Sequence, residues 1–121
     1  MIGRSTRTGC CCPATLATPG VPAGSGGSGS TAVVEFANTS GITLLDSLRP
    51  LDAHTFGFGQ AILNALDHGV DRLLLAIGGS SSTDGGVAAL IALGARFLDS
   101  AADPIPLGNR GLGEVYCIDL A

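Results

Sequence analysis

The stretch DRLLLAIGGSSSTDGGVAALIALG, Asp71 to Gly94, decides the fold. Its first seven residues are apolar without alternation after the opening Asp-Arg pair, the pattern of a strand buried on both faces. Glycines and hydroxyls follow, from Gly78 to Gly86. Gly85 to Leu93 then reads as a short helix with Gly94 as its stop. Strand, glycine loop and helix in that order are the joint of an α/β layer.

Working outward, TAVVEFA from Thr31 is a β-branched and aromatic run that predicts a strand. Asn38, Ser40 and Gly41 predict a turn. ITLLDSLRPLD carries mixed signals, and Pro50 ends any helix there. Ala61, Ile62, Ala65 and Leu66 recur at helical spacing, which predicts a helix over 57–68. Thr55 is placed to cap it and Gly69 to stop it. His68 falls in the last turn, where the helix dipole favours a cation. Beyond the central stretch, ARFLDS predicts another strand, residues 102–104 a turn, and VYCIDL a last strand. The alternation argues for α/β layers with some parallel pairing. The sequence stops just after an apolar run, which reads as an interrupted fold.

Residues 1–30 are small, polar and rich in Pro and Gly, with too few large apolar groups to offset the entropy of ordering. They are expected to form a disordered low-complexity tail, with one partial α/β domain over 31–121.

Composition narrows the function. The chain has 121 residues, is 45% hydrophobic and carries a net charge of −4. Aromatics make up 4% and tryptophan is absent, so an aliphatic core is expected. All six cations are arginines, at 4, 7, 49, 72, 96 and 110, and they are scattered. Nucleic acid and membrane surfaces, which demand clustered cations, are not expected partners. Without lysine there is no Walker-type phosphate lysine, Schiff base or lysine base. Cys10, Cys11 and Cys12 are adjacent and Cys117 stands alone, spacings that do not suit a structural zinc site. No run is long enough to span a membrane and no secretory signal is recognisable, so the expected location is cytoplasmic.

The loop itself offers Gly78 and Gly79 for a sharp turn and close approach of backbone to ligand. Ser80, Ser81, Ser82 and Thr83 supply hydroxyls. Together with the N–H groups of a following helix, these make an anion site at the carboxyl edge of a sheet. Glycine and serine also build strand-to-helix turns with no ligand at all. Asp84 has three readings: an N-cap, a general base toward a substrate hydroxyl, or a ligand of a divalent cation. A dinucleotide fingerprint fits poorly, since Gly78, Ser80 and Thr83 stand at its glycine positions, although Asp99 is suitably placed for a ribose.

LLLAIGGSSSTDGGVAALIALGARFLD resembles the signature of the glycerate kinase family, close to I-G-G-S-A-T-N-D-G-G followed by A-L-G-A-R-x-L-D. AVVEFANTSGITLL resembles that family's strand and turn. HTFGFGQAILNALDHGVDRLLLAI resembles its T-x-G-T-G-E-L-I helix entry and next strand, and PIPLGNRGLGEV its later glycine-rich turn. The match runs from about Thr31 to Leu120. The resemblance implies a fragment of a two-domain α/β fold with a mixed sheet and flanking helices. It implies phosphorylation of D-glycerate by ATP with Mg²⁺, as part of a longer chain. Gly78, Gly79, Ser80, Ser81, Thr83, Gly85 and Gly86 would bind substrate or phosphate. So would Thr55, Gly57 and Gly59 of the helix entry. Asp84 would be the catalytic residue, or would hold the Mg²⁺. Phe58, Gln60 and Thr83 replace the family's usual threonine, glutamate and asparagine. The N-terminal A-D-G-G-E-G-T motif and the C-terminal half have no counterpart here. A small-molecule substrate is the expected partner, and association with a second copy is left open. The alternative is a non-catalytic remnant that binds an organic acid, a phosphate or a partner chain.

Overall fold

The computed structural model describes residues 29–120. The expected tail therefore lies, up to residue 28, outside the described residues. Gly29 and Ser30 already belong to the fold: the Ser30 N–H donates to the Asp71 carboxylate at 2.8 Å, and the Ser30 carbonyl accepts from the N–H groups of Asp71 and Arg72.

Strand β1 (Thr31–Glu35) pairs in parallel with β2 (Arg72–Ala76), Thr31 opposite Arg72 and Glu35 opposite Ala76. Between them run a one-turn helix α1 (Phe36–Ser40), a 3₁₀ turn (Ile42–Leu44), an irregular segment and the helix α2 (Phe56–Asp67). The turn predicted at Asn38–Gly41 is thus mostly helix. It starts straight off the strand because Phe36 turns inward to the core while the Thr39 hydroxyl donates to the Glu35 carbonyl. After the glycine loop come α3 (Val87–Ala92), β3 (Arg96–Leu98), α4 (Asn109–Leu112) and β4 (Cys117–Asp119). β3 and β4 form an antiparallel pair, so parallel and antiparallel ladders coexist as expected.

Helix α2 is amphipathic. It lays Phe58, Ala61, Ile62 and Ala65 against Ala32 and Val34 of β1, with Val70 and Leu73 packed beside them. The helix stops cleanly at Gly69. His68 Nδ1 lies 2.7 Å from the Asn64 carbonyl, and Gly69 takes φ 72°, which a β-carbon would resist.

Two expectations are corrected. The core is not purely aliphatic: Phe36, Phe58 and Phe97 are buried, and the Phe36 and Phe58 rings sit 4.7 Å apart at a 39° tilt. Where alanines line the surrounding helices, only large rings fill the space to interior density. Nor is β2 buried on both faces: Leu74 is 59% exposed and Ile77, just past its end, 73%. In the parallel register Leu74 stands beside Val33, on the face opposite Ala32 and Val34, which α2 covers. Its only ladder partner among the described residues is β1.

Candidate functional site

The loop from Gly78 to Gly86 has two differently built halves. The first is pinned to the turn after α1. Ser80 bridges Gly41, and the Ile42 N–H donates to the Gly79 carbonyl at 2.8 Å. The Ser81 hydroxyl and N–H both donate to the Ser40 carbonyl, at 2.8 and 3.2 Å. The Ser82 N–H donates to the Ser80 hydroxyl at 3.2 Å. The Thr83 hydroxyl donates to the Pro50 carbonyl at 2.6 Å, and the Asn109 amide holds the Thr83 carbonyl at 2.7 Å. Gly78, Gly79, Ser80 and Thr83 are exposed and Ser81 is half-buried. The Ser81 and Thr83 hydroxyls thus fix the backbone, and the loop presents Gly78, Gly79 and Ser80 to solvent.

The second half is a buried clasp around Asp84, which is 1% exposed. Its Oδ2 accepts from the Thr55 N–H at 2.9 Å, the Thr55 hydroxyl at 2.9 Å and the Ala88 N–H at 3.3 Å. Its Oδ1 accepts from the Gly86 N–H at 3.0 Å. The Thr55 oxygen in turn accepts from the Ala89 N–H at 2.9 Å. Gly85 and Gly86 both take positive φ, 63° and 81°, to swing the backbone over the carboxylate. One carboxylate and one hydroxyl therefore join the starts of α2 and α3.

These contacts bear on two readings of the loop. The N–H groups opening α3 do not face a ligand, because Asp84 and Thr55 occupy them. Asp84 itself is the anion at that helix start. Its oxygens already accept four hydrogen bonds in a buried setting, which is the contact set of the capping reading. The residues present do not fit a metal there, and no group of three or more His, Cys, Asp or Glu side chains suited to a metal occurs among the described residues.

The helix-entry residues serve the same joint. Thr55 is buried and its hydroxyl crosses to Asp84 instead of capping its own helix. The Phe58 N–H, in the first turn of α2, is met by the Ser40 hydroxyl at 3.3 Å. Gly57 and Gly59 lie inside α2. A β-carbon at Gly57 would stand 2.7 Å from the Thr39 carbonyl oxygen, and one at Gly59 would strike the Ala89 carbonyl of α3. Phe58 points into the core rather than toward the loop. Its replacement of the family's threonine is a packing change. Gln60 is exposed.

Beside the loop lies a cleft of about 240 Å³, lined among others by Ser40, Asp46, Arg49, Asp52, His54 and Ser81. Of these, sequence reasoning singled out only Ser81 as a site residue. The others lie on or beside the segment whose propensities were mixed, and the one signal available was a lone arginine and histidine flanking Thr55. The Asp52 carboxyl is held below its ordinary range, chiefly by its hydrogen bond to Arg110 and further by the charges of Arg110 and Arg49. The Arg110 Nε lies 2.7 Å from Asp52, and the Arg49 guanidinium 3.5 Å. Burial pushes the His54 imidazole below its ordinary pKa, and the charge of Asp84 offsets part of that.

A strand-end loop of glycines and hydroxyls, locked by an aspartate to a second helix entry, defines an α/β strand–loop–helix segment. The chain belongs to the Glycerate kinase family, whose match covers residues 16–121 and so begins ahead of β1. It is 42% identical over 97 residues to the glycerate kinase of Bacillus subtilis, covering 78% of this chain and 25% of that protein. It is 36% identical over 100 residues to the glycerate 2-kinase of Escherichia coli, covering 81% and 26%. A crystal structure described as a glycerate kinase 2 from Salmonella typhimurium superposes with a TM-score of 0.74 at 36% identity, over 75% of this chain and 25% of that one. The chain thus spans about a quarter of the length of these relatives.

Proposed function

We propose that this chain acts, as part of a longer protein, in the phosphorylation of D-glycerate by ATP, and that it works in the cytoplasm. The observation that carries the reading is the exposed first half of the loop, Gly78 to Thr83, held rigid at the end of a strand in a chain of this family. Phosphoryl transfer asks a protein for alignment and charge stabilisation more than for covalent chemistry. In this reading Gly78 and Gly79 let the phosphoryl group approach the backbone, the N–H groups of Ser80 and Thr83 orient its oxygens, and the Ser81 and Thr83 hydroxyls hold the loop in place through Ser40 and Pro50. ATP supplies the phosphoryl group: its terminal P–O bond breaks, a new one forms at a glycerate hydroxyl oxygen, and the hydroxyl proton is released. Asp84, Thr55, Gly57, Gly59, Gly85 and Gly86 act by fixing the loop's position. No step is assigned to Mg²⁺.

The test is a chimera in which residues 31–120 replace the matching quarter of the Bacillus subtilis protein, assayed with D-glycerate and Mg·ATP. Phosphoglycerate formation supports the reading. A folded chimera with no turnover contradicts it. A second reading, capture of a small acid without turnover, is favoured by the cleft beside the loop, which Arg49 and the hydroxyl-bearing Ser40, Ser47 and Ser81 line. Saturable glycerate binding by a chimera that forms no product would support that one.

A further inference from the structure

The cleft beside the loop has what the loop lacks, a cation. Arg49 lines it, together with the carboxylate of Asp46 and the hydroxyl-bearing residues Ser40, Ser47 and Ser81. We propose that this cleft binds a small hydroxy acid end-on, Arg49 taking the carboxylate and Asp46 accepting a hydroxyl. That the acid is D-glycerate rests on the kinase reading above.

Size favours an acid over a nucleotide. The cleft, at about 240 Å³, falls below the roughly 300–1,000 Å³ typical of sites for drug-sized ligands. A three-carbon acid fits such a space, and a nucleoside triphosphate does not.

Charge favours a carboxylate at Arg49. Asp52 is claimed at 2.7 Å by Arg110, and its contact with Arg49 is longer, 3.5 Å, with the Arg49 side chain 57% exposed. The planar fork of Arg49 can therefore engage a second carboxylate side by side. His54, its imidazole pushed toward the neutral form by burial, adds no competing charge at neutral pH. Asp46 repels a carboxylate and welcomes a hydroxyl, so the two charges orient a hydroxy acid head to tail.

The frame around Arg49 is preorganised. The N–H groups of Asp52 and Ala53 close a turn onto the Arg49 carbonyl, at 3.0 and 2.8 Å. The Thr83 hydroxyl holds the Pro50 carbonyl next door. The same bond ties the cleft wall to the loop, and Ser81 belongs to both. An acid seated on Arg49 would thus lie beside the loop that the kinase reading gives to the phosphoryl group.

The test is amide-resolved NMR titration of the 121-residue chain with sodium D-glycerate, with glycerol, and with inorganic phosphate. The expected result is saturable glycerate shifts at Ser40, Gly41, Ser47 and Ser81, with glycerol at least about tenfold weaker. Arg49→Gln should weaken glycerate about tenfold or more, and Arg49→Lys, which keeps the charge and loses the fork, should fall between. Glycerate shifts that survive Arg49→Gln, or glycerol binding equal to glycerate, overturn the proposal. So does the absence of glycerate shifts. Phosphate shifts at Gly79–Thr83 without glycerate shifts would leave the kinase reading standing and remove only the acid site. Arg49-dependent glycerate binding with no phosphate response in the loop would do the reverse.

Discussion

The two halves of the Gly78–Ala89 segment use the same kinds of residue for opposite ends. From Gly78 to Thr83, backbone and hydroxyls are tied to the turn after α1 and to Pro50, yet the outer surface of the loop stays open to water. From Asp84 to Ala89, a buried carboxylate and the Thr55 hydroxyl take the N–H groups of Gly86, Ala88 and Ala89. The contrast teaches that a glycine loop feeding a helix is not automatically an anion cradle at the helix start. An aspartate of the same chain can already be sitting there. What remains for a ligand is the half that precedes the aspartate.

This difference can be broken from either side. The largest expected effect is that of Asp84→Ala, which strands three N–H groups and one hydroxyl in a buried joint. At about 1–3 kcal/mol for each unsatisfied group, urea unfolding should show a loss of about 4 kcal/mol or more. A loss below about 1 kcal/mol would mean that the clasp is not holding the helices. Next comes Phe58→Thr, which restores the family's residue. It removes the ring stacked on Phe36 and should cost about 3 kcal/mol in the same measurement, with no gain in phosphate binding. Gly59→Ala forces α2 and α3 apart at the Ala89 carbonyl and should cost about 2 kcal/mol. Ser81→Ala, in the open half, should change stability by about 1 kcal/mol or less while weakening binding of inorganic phosphate. If Ser81→Ala unfolded the chain, the division between the halves would fail.

The smallest effect expected is on pH dependence. The His54 pKa is lowered in the fold, so the unfolded chain binds its proton more readily. Below about 6.5, the ordinary histidine value, stability should fall as pH drops through the lowered value, and it should be constant above. His54→Gln should flatten that part of the stability profile measured by denaturant unfolding. An unchanged slope would show that His54 is not desolvated.

Much of this was legible in the residues. Helix α2, its stop at Gly69, the strand–loop–helix order and the strands near Thr31 and Arg96 follow from periodicity and glycine placement. The exposure of β2 was not legible, because a run such as Leu73, Leu74, Leu75 says what a strand can bury but not whether anything arrives to cover it. Asp84 was recognised as important, and capping was one of its readings. Its partner, Thr55, lies 29 residues away, and that pairing comes from tertiary packing. Gly57 and Gly59 fall within the predicted helix, where glycine is usually costly. Here the cost is offset by close approach of α1 and α3. Arg49 and Asp46 carry no local signature, and only folding brings them to one cleft.

The central claim is that ligand-accessible amides stop at Thr83 and that those from Gly86 onward belong to the fold. Amide hydrogen exchange of the chain, with and without inorganic phosphate, tests it most directly. The account predicts that Ala88 and Ala89 exchange only with global unfolding and ignore phosphate, while the amides of Ser80 and Thr83 exchange readily and are slowed by it. Those of Ser81 and Ser82 are already bonded to Ser40 and Ser80. Rapid exchange at Ala88 and Ala89 that phosphate suppresses would contradict it.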